Sequence, residues 1–224
     1  MNKTPLIDAI FSGNIMEIES LIKSGQNVNQ SFNGITPIQH AIKLRKSKIV
    51  KLLIENNADL LIYDRHNVSP LSHILTKFKE STALSIIKSL PDIHIADIYD
   101  RNTALHYTAR SNYAKCIDYL ISKGASPNAL NRQGQSTIFF AAKSGACQII
   151  GLLVNSGADI NLRDKIDKQQ WSPVFYAISR SHVDCVAENI TQNADVNLID
   201  DAGSTPICYA MQIADDRIVR VLLD

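Results

Sequence analysis

A three-residue phrase recurs along this chain and constrains everything else about it. Thr4-Pro5-Leu6, Thr36-Pro37-Ile38, Ser69-Pro70-Leu71, Thr103-Ala104-Leu105, Ser136-Thr137-Ile138, Ser172-Pro173-Val174 and Thr205-Pro206-Ile207 follow one another at intervals of 32, 33, 34, 33, 36 and 33 residues. A period of this length means stacked like units, none of which can bury its apolar face alone.

Each phrase reads as a helix start. Thr or Ser accepts a hydrogen bond from an orphan N–H of the first turn. Pro at the first helical position lacks an N–H that would go unused anyway. A short first helix follows, with a small residue (Ala9, Ala41, Ala109, Ala141, Ala177, Ala210) that allows close approach of its neighbours. Gly13, Asn112 and Gly145 fall where a left-handed terminator is wanted. A second apolar helix then runs to Gly25, Asn57, Gly124, Gly157 or Asn193, and tails such as "ASPNA", "ADINL" and "ADVNL" lead to the next phrase.

These registered copies resemble the ankyrin-repeat family. The match lies at Gly34-Ile35-Thr36-Pro37-Ile38, Asn102-Thr103-Ala104-Leu105-His106, Gly203-Ser204-Thr205-Pro206 and Gly157-Ala158-Asp159-Ile160-Asn161. The resemblance implies an all-α solenoid of about seven helix-turn-helix repeats with projecting β-hairpin fingers, the fingers and first helices lining a concave binding face. The expectation is one array over residues 1–224, with repeats starting near 4, 36, 69, 103, 136, 172 and 205 and the last incomplete. Pro91 departs from the pattern and must stop its helix. "DKIDKQQ" adds three residues before Trp171 and predicts a lengthened finger. The stop at "RIVRVLLD" inside a second helix reads as a fragment with a further domain beyond Asp224.

Composition narrows the function. Net charge is +1, which is not that of a basic nucleic-acid binder. No apolar run approaches the ~18 residues that span a bilayer, and the N-terminus is no secretory signal. Cys116, Cys147, Cys185 and Cys208 form no close pair in sequence, which reads as a free-thiol protein of the cytoplasm. Cys116 and Cys185 occupy equivalent positions of second helices and read as small buried residues. No phosphate loop, metal spacing or catalytic constellation is present, so no cofactor, metal or enzymatic activity is expected. The family resemblance gives His106 a hydrogen bond between repeats.

Binding candidates come from the register of the repeat. Counting from each cap puts Lys43, Lys77, Arg110, Lys143 and Arg180 on the exposed side of successive first helices. His40, His73, Tyr107, Phe140 and Tyr176 stand three or four residues earlier, where ring and cation share a helix face and could stack. They read equally as rings packed between first helices. Exposed pairs contribute about 0–1 kcal/mol each, so the cations steer an acidic partner and tight binding needs an apolar anchor. Phe32, Tyr99 and Trp171 at the finger tips, with Arg65, His66, Arg132 and Lys168 nearby, are candidates. Trp171 is open between packing on a neighbouring finger and contacting a partner.

The reading is a monomeric protein-interaction module with no membrane insertion. The Ile- and Asn-rich composition, degenerate repeats and abrupt end resemble ankyrin proteins that intracellular bacteria deliver into host cells, and similar proteins of large DNA viruses. That resemblance implies a host protein as partner and the host cytoplasm as destination. The alternatives are the targeting arm of an enzyme whose catalytic domain follows residue 224, and a polyanion or nucleic-acid binder using the basic stripe.

Overall fold

The computed structural model describes residues 4–64, 68–165 and 169–223. The chain divides into two compact units, Met1–Ile93 and His94–Asp224. In the first, α1 (Pro5–Ser12) pairs with α2 (Ile15–Lys23), α3 (Pro37–Lys43) with α4 (Ser47–Glu55), and α5 (Pro70–Lys77) with α6 (Glu80–Ile87). In the second, the pairs are α7 (Ala104–Arg110) with α8 (Ala114–Ser122), α9 (Thr137–Ser144) with α10 (Cys147–Asn155), α11 (Pro173–Ser179) with α12 (Val183–Thr191), and α13 (Pro206–Gln212) with α14 (Asp216–Leu223).

Every phrase of the repeat stands at the start of a first helix. The hydroxyl of Thr4, Thr36, Ser69 and Thr205 accepts the N–H of the third helical residue, as expected. Ser136 and Ser172 make no such bond, and their hydroxyls are buried without a partner among the described residues. Pro173 still presets the first turn at Ser172.

The expected terminators all have positive φ: Gly13, Asn112 and Gly145 after first helices, and Gly25, Asn57, Gly124, Gly157 and Asn193 after second ones. Arg45, Ser181 and Ala214 take the same left-handed conformation although nothing in their chemistry favours it.

First helices stack on first helices within each unit, and α4 packs on α6, α10 on α12 and α12 on α14 among the second helices. The core between them is apolar, including Ile7, Ile10, Ile38, Leu71 and Ile74 in the first unit and Leu105, Ile138, Phe139, Val174 and Phe175 in the second. Ala9, Ala41, Ala109, Ala141, Ala177 and Ala210 are all buried at the close approaches.

The tails carry the hydrogen bonds between repeats. Asn128 accepts from Asp159 N at 2.8 Å and donates to Gly157 O at 2.7 Å. Asn29 does the same with Asp59 N and Asn57 O at 2.8 and 3.2 Å, and Asn161 accepts from Asp195 N at 2.8 Å. Asp59, Asp159 and Asp195 each in turn accept the N–H two residues on. Each of these tails is therefore a turn closed by the side chain two residues before its end, with Asn27 and Ser126 doing this where Asp is absent, and Asn29, Asn128 and Asn161 hold the next copy.

The fingers are hairpins of minimal length: among the described residues the isolated antiparallel bridges Phe32 to Ile35 and Ala96 to Thr103 form, and single backbone bonds such as Asn131 N to Gln135 O and Asp200 N to Ser204 O close the others. Side chains add to this pairing, with Asp97, Asn131, Asp164 and Asp200 accepting backbone N–H groups across their own turns. One expectation needs correction: the cysteines are not all free. Cys147 and Cys185 form a disulfide, with Cα atoms 4.6 Å apart, while Cys116 is a buried thiol and Cys208 an exposed one. A separation of 38 residues looks distant in sequence, yet it is about one repeat, and stacking α10 on α12 brings the two together.

Candidate functional site

The five stripe cations stand at the C-terminal ends of their first helices, all exposed. Lys43 and Lys77 are the last residues of α3 and α5 in the first unit. They line one pocket of about 510 Å³, together with Arg45, Gly34, Ile35, Gln39, Ile42, Asp64 and His73. In the second unit Arg110, Lys143 and Arg180 occupy the ends of α7, α9 and α11. Their charges reach one another: burial, then the Arg180 and Arg110 charges, lower the pKa of Lys143, and Asp164 opposes them.

Ring and cation do stack, but across repeats rather than along one helix. The Lys143 ammonium lies 5.3 Å from the ring centre of Tyr176, one repeat further on. The rings themselves are mostly internal. Tyr107 and Tyr176 are buried, 7% and 6% exposed, and their hydroxyls donate to Asp97 at 2.7 Å and Asp164 at 2.5 Å. Tyr176 and Asp164 also share the Gln135 amide. His73 meets Asp64 at 2.9 Å in the same way. His40 packs on Phe11 at 5.2 Å, and Phe140 edges onto His106 at 5.1 Å.

A finger-to-helix lock thus recurs, which the sequence reading missed. A carboxylate five to eight residues before the cap meets a ring donor four residues after it, at Asp64 with His73, Asp97 with Tyr107 and Asp164 with Tyr176. In the repeat where the acceptor is neutral Asn131, the ring is Phe140, which has nothing to donate. The signal lay in the period, since these residues recur in register.

Trp171 is half-buried and belongs to an aromatic cluster, not to a neighbouring finger. Its ring stacks on Phe175 at 5.9 Å and 15°, meets Tyr176 edge-on at 5.2 Å, and touches Tyr209 of the next first helix at 5.0 Å. Its indole nitrogen is sealed, with no partner among the described residues. Its backbone N–H donates to Asp164 at 3.1 Å. Tyr176 therefore joins Trp171 on one side to Lys143 on the other.

Of the remaining finger candidates, Tyr99 and Arg132 are exposed. Tyr99 is 54% exposed, beside Ile98 at 56%. The N–H of Arg132 donates to Asp100 O at 2.7 Å, so this finger lies against the one carrying Tyr99. Phe32 is half-buried. Arg65, His66 and Lys168 lie outside the described residues.

His106 performs the bridging expected of it. Thr103 N donates to its Nδ1 at 3.1 Å, and its Nε2 reaches Gln135 O of the next repeat at 3.2 Å. Burial lowers its pKa from 6.5 to about 4, against the Gln135 hydrogen bond and the Asp97 charge. Gln39 does the same work in the second repeat, accepting from Thr36 N at 2.8 Å and donating to Ile62 O at 2.9 Å. No cluster of three or more His, Cys, Asp or Glu that could hold a metal ion occurs among the described residues. None of the described helices is long and apolar enough to cross a membrane.

Comparison with known proteins agrees with this anatomy. The family model for ankyrin repeats (3 copies) matches residues 1–64 and 73–164. The ankyrin repeat protein nuc-2 of Neurospora crassa is 26% identical over 170 residues, covering 75% of this chain and 16% of that protein. The chain thus spans under a fifth of that relative's length. The probable 26S proteasome regulatory subunit p28 of Saccharomyces cerevisiae is 23% identical over 215 residues, covering 91% of this chain and 92% of that protein. The crystal structure of the ankyrin repeat domain of Bcl-3 superposes with a TM-score of 0.75 at 21% identity, over 100% of this chain and 99% of that one. With seven helix pairs among the described residues, Asn-bridged tails and a family model matching more than half its residues, the chain belongs to the ankyrin-repeat family.

Proposed function

We propose that this chain is a non-catalytic protein-interaction module that takes a partner protein on the ends of its first helices and on the adjoining finger tips. One observation carries the reading. Arg110, Lys143 and Arg180 are exposed on successive first helices, their charges adding to burial in lowering the pKa of Lys143, and Lys143 sits over the Tyr176 ring. Like charges held together serve no purpose in folding, and a partner surface of opposite sign relieves them. Lys43 and Lys77 extend the same register in the first unit, and Tyr99 and Arg132 add finger contacts. Trp171 contributes by holding Tyr176 beneath Lys143 and by the part of its ring that remains accessible.

The relative p28 supports the class of function, being by name a probable regulatory subunit of the 26S proteasome, one member of a protein assembly. A host protein as the partner is the finer part of the proposal, resting on the Ile- and Asn-rich composition and the degenerate repeats.

The test is affinity capture from host-cell lysate with the full chain as bait, beside Arg110→Glu/Lys143→Glu/Arg180→Glu. The variant should lose the captured protein while its helical circular dichroism is unchanged. Undiminished capture refutes the assignment of this face. Capture of nucleic acid instead, falling steeply with salt, would transfer the stripe to a polyanion.

A further inference from the structure

We infer that the pocket of the first unit binds glutamate side chains of an extended acidic peptide segment. The inference rests on the partner-binding reading above and names the chemistry of the partner. Three cations line the pocket, Lys43, Arg45 and Lys77, against one carboxylate, Asp64. That carboxylate is already engaged, accepting Val68 N at 3.1 Å and meeting His73 Nε2 at 2.9 Å. Lys43 and Lys77 make no ion pair among the described residues. Arg45 spends one N–H on Lys77 O at 3.2 Å, which holds its guanidinium across the ends of α3 and α5 with further donors to spare. A guanidinium so held can receive a carboxylate through two parallel bonds.

Charge alone would suit a phosphate equally, and two features favour the peptide. Ile35 and Ile42 supply apolar lining that a bare phosphate leaves unused and the stem of a glutamate covers. The volume of about 510 Å³ falls within the ~300–1,000 Å³ of sites that enclose drug-sized ligands.

The probe is a fluorescein-labelled eight-residue peptide alternating Glu and Leu, followed by fluorescence anisotropy with the full chain. Its Gln–Leu counterpart should bind at least tenfold more weakly. Lys43→Glu/Lys77→Glu should weaken the acidic peptide at least tenfold, and Lys43→Met/Lys77→Met severalfold. Lys23→Glu/Lys48→Glu, the same charge change on exposed positions of α2 and α4, should have less than a twofold effect. Circular dichroism establishes that each variant is folded, and the Met pair keeps the test usable if the Glu pair is not. Equal binding of the Glu and Gln peptides, or no loss in either pocket variant, overturns the inference. So does displacement of the peptide by tripolyphosphate at equal charge, which would make the pocket a general anion site. None of these results touches the capture experiment on Arg110, Lys143 and Arg180, so the two readings fail separately.

Discussion

The buried imidazole of His106 makes this protein sensitive to mild acid. His106 has no exposed surface, and burial brings its pKa from 6.5 to about 4. Between those values the unfolded chain binds a proton at this residue that the folded chain does not. Stability is therefore complete above pH 6.5, falls as pH drops and levels off below pH 4. The full span is about 3 kcal/mol at 1.36 kcal/mol per pKa unit, of which about 2 kcal/mol is lost by pH 5. The perturbation is His106→Gln. Gln39 already makes the equivalent two bonds one position before its own helix-facing ring, so the replacement should cost only about 1 kcal/mol at pH 7. It removes the titrating group, so the gap between the two proteins should close and then reverse on acidification. The assay is urea denaturation at pH 7, 6 and 5 followed by the fluorescence of Trp171, the single tryptophan, which lies in the same unit as His106. With an m-value of about 2 kcal/mol/M, the difference between the two midpoints should move by about 1 M. Midpoints that fall in parallel from pH 7 to pH 5 would refute the account of a neutral, desolvated histidine.

Three further outcomes are expected. Asn128→Ala removes both bonds to the next repeat, at 2.8 and 2.7 Å, and should cost about 1–2 kcal/mol in the same urea assay. Asn189 is fully buried with its side-chain oxygen unpartnered among the described residues, in the register where other second helices carry Leu53, Leu120 and Leu153, so Asn189→Leu should raise stability by about 1–2 kcal/mol in that assay. Ala214 holds a left-handed φ of 55° at an exposed turn, and Ala214→Gly should stabilise by about 1 kcal/mol, seen as a higher thermal midpoint with unchanged far-ultraviolet signal.

Much of the candidate site was legible in the sequence because register is additive. Once the cap residues are known, a fixed count reaches the end of each first helix, and Lys43, Lys77, Arg110, Lys143 and Arg180 are exposed there as expected. For the aromatic half of the pattern the register leaves two partners open, and the packed alternative holds for Tyr107 and Tyr176. Counting along a helix pairs Tyr107 with Arg110, but the hydroxyl of Tyr107 turns to Asp97 in the finger. Counting cannot choose between a neighbour on the same helix and one in the adjacent finger, since both recur with the same period. Lys143 found its ring on the next helix, at Tyr176, for the same reason.

The sequence by itself determined what depends on neighbours within a few residues: the helix starts at each Thr-Pro, their left-handed stops, the period and the exposed cations. These follow from backbone sterics and i to i+4 geometry, which need no knowledge of the stack. Tertiary structure decided what depends on residues one repeat apart. It joined Cys147 to Cys185, assigned the tail asparagines to the next turn, enclosed Trp171 among Phe175, Tyr176 and Tyr209, and gathered Lys43, Arg45 and Lys77 around one pocket. Each of these contacts requires the small rotation and offset between successive copies, a property of how the cores pack and not of any one copy's sequence.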